Sequence, residues 1–399
     1  MQDLMPLVEL LEEAGLRLVV SQEMIDTFHL HPENLSQDMR NIVAHYIANN
    51  PQQVQHDNET HINETCTAIT AKTHKAKSLL VETSKAGRKL RKEAALPQLY
   101  SEEGGSITTG YTGKGKSREV TSVLSLSFEA LDEWKSILPA NKKVTKFAMA
   151  VLTHCMTLIN AGNEYTTSKT IFRQMSGNKG KEATPEMQKA IQKALSILAC
   201  TRIRIDTSEE FEAGFTNRKF FEGALLPNTI SGQEIITLNG SIIEDAIHFL
   251  GQSPLFEYAR TKGQISSTNI PVAMLAVPKL NTTEENIVLL DYLIRTYADM
   301  TNAKSDRNKN IISYDTLYDY LGVEGSNPKQ TYKNKAKIRA AVRTVLEHWI
   351  ELGAIKGYQE LTADDKPAKQ GAKTAKVRLV FFTARELGAI HDSGQNTDN

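Results

Sequence analysis

The chain has 399 residues, of which 40% are hydrophobic and 24% charged; this is ordinary globular composition and excludes a disordered or fibrous protein. At about 100–200 residues per domain, that length implies two or three domains, each able to bury a core. Lys+Arg and Asp+Glu both number 47, so the formal net charge is zero, which excludes a uniformly basic protein but not a basic face.

Residues 1–65 hold eleven acids against Arg17 and Arg40, whereas 66–97 hold eight Lys/Arg against Glu82 and Glu93. This asymmetry predicts an acidic helical module over 1–62, with short helices in 4–48 interrupted at His31-Pro32 and a polar linker over 49–62. A basic segment over 63–118 follows. Its helix, with Leu79, Leu80 and Leu90 as its few apolar anchors, reads as too polar for a core element. It is either a solvated connector or a face for an anion. The Gly/Ser/Thr stretch 104–117 reads as an interdomain linker.

The remainder contains an internal repeat. In the first copy, a helix through Phe147, Val151, Leu152, Met156 and Ile159 precedes a short helix capped by Thr167, and Pro185 opens a third. The third helix carries the apolar stripe Met187, Ile191, Leu195 and Leu198. Arg202–Ile205 alternates as a strand, and 220–226 with 234–238 is expected to form a hairpin. The apolar run 234–260 is expected to cover the core or form a subunit contact. In the second copy, 282–297 is an amphipathic helix, with Thr282 and Glu285 at capping-box spacing. Ser313 stands opposite Thr167, Leu317 opposite Ile171 and Leu321 opposite Met175. A longer helix with the stripe Ile338, Val342, Val345 and Trp349 ends at Gly353, and 354–358 with 377–382 alternate as strands. Helix, short helix, longer helix and strand pair is the order of a winged helix, and the chain shows it twice.

The long helix of the second copy carries the chemistry. With its apolar stripe facing one way, Lys333, Lys337, Ala340, Arg343 and Thr344 face the other. Six Lys/Arg and no acid lie between Gly325 and Arg343, among them Lys329 and Arg339. The strand connection adds Lys366, Lys369, Lys373, Lys376 and Arg378. A helix with an apolar back and a small-plus-basic front suits a DNA major groove, and a basic wing beside it predicts salt-dependent binding. The first copy carries a weaker version, with Lys189, Gln192, Lys193 and Ser196 opposite its stripe and Lys169 and Arg173 on the preceding helix. Glu182 and Glu186 dilute its charge.

Gly110–Ser117 matches G-x-x-x-x-G-K-S, a phosphate-cradling pattern that needs a buried strand before it and a helix after it. Here 120–128 alternate as a strand instead, so the match reads as an accident of a Gly/Lys linker. No cysteine-bearing metal spacing and no nucleophile–base arrangement stands out, and no cofactor or metal is expected. Cys66, Cys155 and Cys200 lie far apart, with Cys155 and Cys200 on apolar faces. Tyr314, Tyr318 and Tyr320 read as packing. The start lacks a positive leader region and no apolar run approaches the ~20 residues of a membrane span. A soluble cytoplasmic protein is the expectation.

The tandem copies resemble the plasmid replication initiators, the iteron-binding Rep proteins with two winged-helix domains. The resemblance spans about 120–385 and is carried by Ser313–Gly322, Lys337–Ile355, Ile191–Ile205 and Glu234–Phe256. It implies a non-enzymatic, sequence-specific DNA-binding initiator of a plasmid or phage-plasmid, binding origin repeats, promoting their opening and autorepressing as a homodimer. The host initiator and replicative helicase would be partners. The fold expected is α+β, mainly helical: a first winged-helix domain over 119–280 for dimerisation and backbone contact, a second over 281–385 as principal DNA reader, and a disordered tail over 386–399. The alternatives are a winged-helix transcription regulator and a P-loop ATPase acting on DNA. The chain departs from the resemblance in its roughly 115 additional N-terminal residues.

Overall fold

A computed structural model describes residues 16–20, 40, 43–44, 76–93, 106–112, 119–140, 142–178, 180–237, 240–266, 270–302, 310–323, 327–369 and 374–383. It is a mixed α+β protein, mainly helical, with several small open sheets consistent with winged-helix-like domains. The elements run β1 (Leu16–Val20), β2 (Val81–Glu82), α1 (Lys85–Glu93), β3 (Ser106–Thr112), β4 (Glu119–Phe128), α2 (Lys146–Asn160), β5 (Tyr165–Thr166), α3 (Ser168–Ser176) and α4 (Pro185–Cys200). They continue with β6 (Thr201–Asp206), α5 (Ser208–Glu212), β7 (Phe220–Ala224), β8 (Asn228–Thr237), β9 (Gly240–Phe249), α6 (Pro254–Thr261) and β10 (Ile265–Ser266). The second copy is α7 (Glu284–Thr301), β11 (Ile311–Ser313), α8 (Tyr314–Leu321), α9 (Pro328–Glu351), β12 (Gly357–Leu361) and β13 (Lys376–Val380).

The two segments read as copies share part of their strand order. The first copy places β5 beside β9 and β9 beside β8, and the second places β11 beside β13 and β13 beside β12. Leaving aside β1, which adds to the outer edge of β8, the first strand of each set therefore lies next to its last. The short helices match as well: Thr167 and Ser313 cap α3 and α8 through their hydroxyls, and Gly177 and Gly322 end them in the left-handed region. Ile171 and Leu317 are both fully buried beneath. Thr184 caps α4 ahead of Pro185, as the sequence order implies.

Several expectations are corrected. The cap of α7 is Thr283, which accepts from Asn286 N, while the Thr282 hydroxyl accepts from Lys181 Nζ. Phe220–Ala224 pairs with β6 rather than with 234–238, and the first copy's hairpin is β8 with β9. The segment β6–α5–β7 is thus an insertion between α4 and the hairpin, and it completes a second sheet of order β3-β4-β6-β7. The apolar run 234–260 supplies β9 and α6, whose Leu255 and Phe256 are fully buried. Part of the supposed linker, 106–112, is β3, paired antiparallel with β4. Within the module expected to be helical, Leu16–Val20 is a strand: its apolar and β-branched residues add in parallel to β8. Residues 40, 43 and 44 are helical; the other residues of 1–62, the segment 63–75 and the tail 386–399 lie outside the described residues.

The molecule is centred on α2 and α7, the first helices of the two copies, which pack on each other. Both are buried on nearly every face, including Thr153, His154, Asp291, Arg295 and Asp299. Over this seam lie β2 and α1. Contrary to the sequence reading, this basic helix is a core element on one side: Ala86 and Leu90 are fully buried, and Arg91 is paired to Glu82 at 2.5 Å with both side chains wholly inaccessible. The Glu82 carboxylate also accepts from Ser84 N and occupies the space a side chain at residue 87 would fill, which is why that position is glycine. The link between the copies is clamped from both sides. Gly177 abuts the backbone of Val272, Leu275 and Ala276, while Trp349 Nε1 donates to Met274 O at 3.1 Å.

Two tests follow from this core. Gly322→Ala meets only the left-handed backbone penalty and should lower stability by about 1 kcal/mol. Gly177→Ala also drives a Cβ to within 2.6 Å of Ala276 N, so it should lower stability by about 2–4 kcal/mol in urea denaturation. His154 is held neutral by burial, which the Asp291 charge only partly opposes, so its pKa falls from 6.5 to about 4. The native state then binds fewer protons than the unfolded chain. Its contribution is complete above pH 6.5 and is lost as pH falls towards 4, by up to about 3 kcal/mol. Compared with wild type, a His154→Gln variant should show a smaller decline in urea midpoint across that window.

Candidate nucleic-acid interface

The second copy builds its exposed face from α9 and the connection between β12 and β13. Asn327 caps α9, its Oδ1 accepting from Lys329 N at 3.1 Å and Gln330 N at 3.3 Å, and Pro328 occupies the first helical position. No acid lies in the first turn, so the positive end of the helix dipole is uncompensated there. The predicted stripe is the packed face: Val342, Val345 and Trp349 are fully buried and Ile338 packs against the core. No residue of 328–337 is fully buried; the segment rests on α8 through Lys335, whose carbonyl accepts from the Tyr318 hydroxyl at 3.4 Å and whose ammonium lies 5.0 Å from that ring, and it leaves its outer face exposed. Lys329, Lys333 and Lys337 are exposed along it and make no ion pair among the described residues.

Arg343, Lys376 and Thr344, expected to face DNA, each have a partner within the chain. Arg343 forms a two-point ion pair with Glu360 of β12, Nε to Oε1 at 2.6 Å and NH2 to Oε2 at 3.0 Å. The charge-assisted hydrogen bonds hold the Glu360 carboxyl below its usual range and raise Arg343. Lys376 Nζ donates to Ala363 O and Asp365 Oδ1, and the Thr344 hydroxyl donates back to Ala340 O of its own helix. Arg339 and Arg378 are half-buried, Arg378 on the central strand opposite Ile311 and Gln359. Lys373 lies outside the described residues. The wing tip is closed by Thr362 N to Lys366 O at 2.8 Å and by Asp365 N to Thr362 O, with Asp365 at positive φ. Lys366 and Lys369 are exposed there beside Asp364 and Asp365. Sequence reasoning missed Tyr332, an aromatic side chain 69% exposed between Lys329 and Lys333, whose signal was its place on the basic face.

The first copy has the same frame with fewer available cations. Lys189 and Lys193 of α4 are exposed, but Lys193 lies close enough to Glu284 to act on its carboxyl, which burial raises overall. Arg173 is paired with Glu182, and Lys169 is half-buried. Ser196, expected on the outer face, is fully buried and donates to Lys193 O. The three tyrosines read as packing are buried. Cys155 and Cys200 are also buried, and desolvation pushes both thiols up.

The glycine-rich phosphate-loop match begins inside β3, where Gly110, Tyr111 and Thr112 pair with β4; its remaining residues, 113–117, lie outside the described residues, and the next described element is the strand β4. The motif requires a strand leading into a helix, so this is a different backbone frame. Among the described residues no cluster of three or more His, Cys, Asp or Glu is placed to hold a metal, and no helix is long and apolar enough to cross a membrane.

No protein-family model and no curated protein matches the chain. Among solved structures, it is similar to two crystal structures of domains 2 and 3 of RctB. One aligns over 72% of this chain and 98% of its own length, at 11% identity and a TM-score of 0.35. The other covers 75% and 99%, at 10% identity and a TM-score of 0.37.

Proposed function

We propose that this chain is a double-stranded DNA-binding protein with tandem winged-helix domains, and that the second domain reads the major groove with α9. One observation carries the reading: α9 has no fully buried residue over 328–337, and its exposed row Lys329, Lys333 and Lys337 makes no ion pair among the described residues and lies in a segment without an acid. The inner side of this half-helix rests on Tyr318, whereas the outer lysine row gains nothing from the core, so in this reading its partner lies outside the chain. At 1.5 Å per residue the row is about 12 Å long, which matches the width of the major groove. Lys366 and Lys369 extend the positive surface onto the wing, where phosphates of the adjoining backbone would lie.

Within that class, the resemblance of residues 313–322 and 337–355 to plasmid initiators supports a role at a replication origin. Repeated sites would be bound cooperatively and an adjacent A·T-rich segment opened through bending and contact energy. Self-association and recruitment of host initiator and helicase belong to the same reading and rest on the resemblance.

The test is footprinting of the full chain on DNA from its own replicon, at two salt concentrations and with excess competitor. Regularly spaced protection that survives competition is expected, together with permanganate-reactive thymines beside it. Protection without reactive thymines would leave a repressor, and loss of all protection on adding salt would remove the DNA-reading assignment. In the same assay, Lys329→Ala/Lys333→Ala/Lys337→Ala should flatten the dependence of log K on log salt by about 2–3, at roughly 0.9 per phosphate neutralised.

A further inference from the structure

The cationic face of the second copy contains one acid that is held firmly in place. Glu360 is 21% exposed on its side chain, and both of its oxygens are occupied: Oε1 by Arg343 Nε, and Oε2 by Arg343 NH2 and by the Thr374 hydroxyl at 3.1 Å. The pairing uses the side edge of the guanidinium. Its end edge, NH1 with the second N–H of NH2, makes no hydrogen bond among the described residues, and the Arg343 side chain is 45% exposed. Ala340, one turn earlier on α9, is exposed and small, so a base edge can approach the helix beside that fork.

An acid in a phosphate-binding surface weakens association with every DNA sequence alike. What it supplies here is geometry. A free arginine side chain loses considerable rotamer freedom on making a two-point contact, and the ion pair removes that freedom beforehand. The end-on fork it leaves matches the O6 and N7 acceptors of guanine.

We propose that Glu360 is a positioning residue for base recognition: it holds Arg343 with its end edge outward to read a guanine, while the lysines of α9 meet phosphates. This rests on α9 being the groove-reading helix. Arg343 and Glu360 then determine which sequence is chosen, and Lys329, Lys333 and Lys337 determine how strongly any duplex is held.

The experiment is selection of sites from a randomised duplex pool by the full-length wild type, Glu360→Gln and Arg343→Lys. Affinity for an unrelated duplex and thermal midpoint are measured alongside. The wild type is expected to enrich a site with a strong guanine preference at one position. Glu360→Gln should lower that preference about tenfold or more at that position alone, with affinity for the unrelated duplex unchanged or a few-fold higher. Arg343→Lys should lose the same position, and the double variant should be no worse than either single one. Unchanged preferences in Glu360→Gln, or affinity raised equally for all sequences, would overturn the proposal, since Glu360 would then only neutralise charge. Flattening at every position with a lowered thermal midpoint would also overturn it, in favour of a structural role. A wild type that enriches nothing would instead remove the reading of α9 itself, and that outcome is visible without any variant.

Discussion

A buried ion pair within α7 anchors the polar contacts at the seam between α2 and α7. Asp291 and Arg295, one turn apart on α7, meet through two hydrogen bonds at 2.9 and 2.7 Å, with side chains 1% and 10% exposed. Desolvation alone would lower the Arg295 pKa, but the Asp291 charge and hydrogen bond, together with Tyr320 and Glu82, outweigh it and raise the pKa overall. Each partner then reaches a different neighbour. Asp291 Oδ1 accepts from the Thr153 hydroxyl of α2 at 3.3 Å, and Arg295 donates to the Tyr320 hydroxyl of α8 at 2.9 Å. Further out, Arg88 of α1 pairs with Asp299 at 2.5 Å, and Lys146 of α2 donates to Tyr320 O. Buried pairs of this kind are poor sources of net stability, since desolvation offsets much of the attraction. They are effective at fixing register, because leaving any one member unpaired is expensive. Two helices with apolar surface all round could slide against each other; these contacts allow one arrangement.

That seam also accounts for what was legible in the sequence. The helices of the repeat were readable because their signals are local: stripes at helical spacing, hydroxyl caps at Thr167 and Ser313, Pro185 at a first helical position and Gly353 at an end. Strand partners were not readable where they depended on residues far away. Phe220–Ala224 alternates in the same way whether it pairs with β6 or with β8, and only the closed sheet decides. Leu16–Val20 is a strand because an open edge of β8 awaits it more than two hundred residues later. In α1 the error concerned charge. Arg91 counted as solvated in a composition tally, yet Glu82, nine residues earlier, neutralises it within the core.

The same limitation applies to the candidate interface. The sequence correctly separated the two faces of α9, since one periodicity generates both. It could not separate a cation that faces solvent from one held by a carboxylate across a sheet. Glu360 lies seventeen residues beyond Arg343 and becomes its neighbour only because β12 folds back along α9. Asp365 reaches Lys376 through the turn at the wing tip, and Glu182 reaches Arg173 through the loop after α3. A count of basic residues therefore overstates the free charge offered to an anion, since part of it is already met by carboxylates within the chain.

The two copies share a strand order and a pair of caps, yet they use the third helix differently. In the first, Ser196 of α4 is buried and Lys193 lies beside Glu284 at the start of α7, so that helix contributes to the join. In the second, α9 is fixed chiefly over its C-terminal half, where Trp349 donates to Met274 O, His348 bonds to Ala273 O, and Tyr297 packs edge-on against the indole at 5.5 Å, with a lighter contact of Tyr318 on Lys335 nearer its start. A helix presented to a groove has to be held at its angle by something other than the groove. Here that support is the link between the copies, itself fixed on its other side by the close approach of Gly177. The direction in which the lysine row points is therefore set largely away from the row, where Trp349 and His348 meet the link, and is steadied within it by Tyr318 on Lys335.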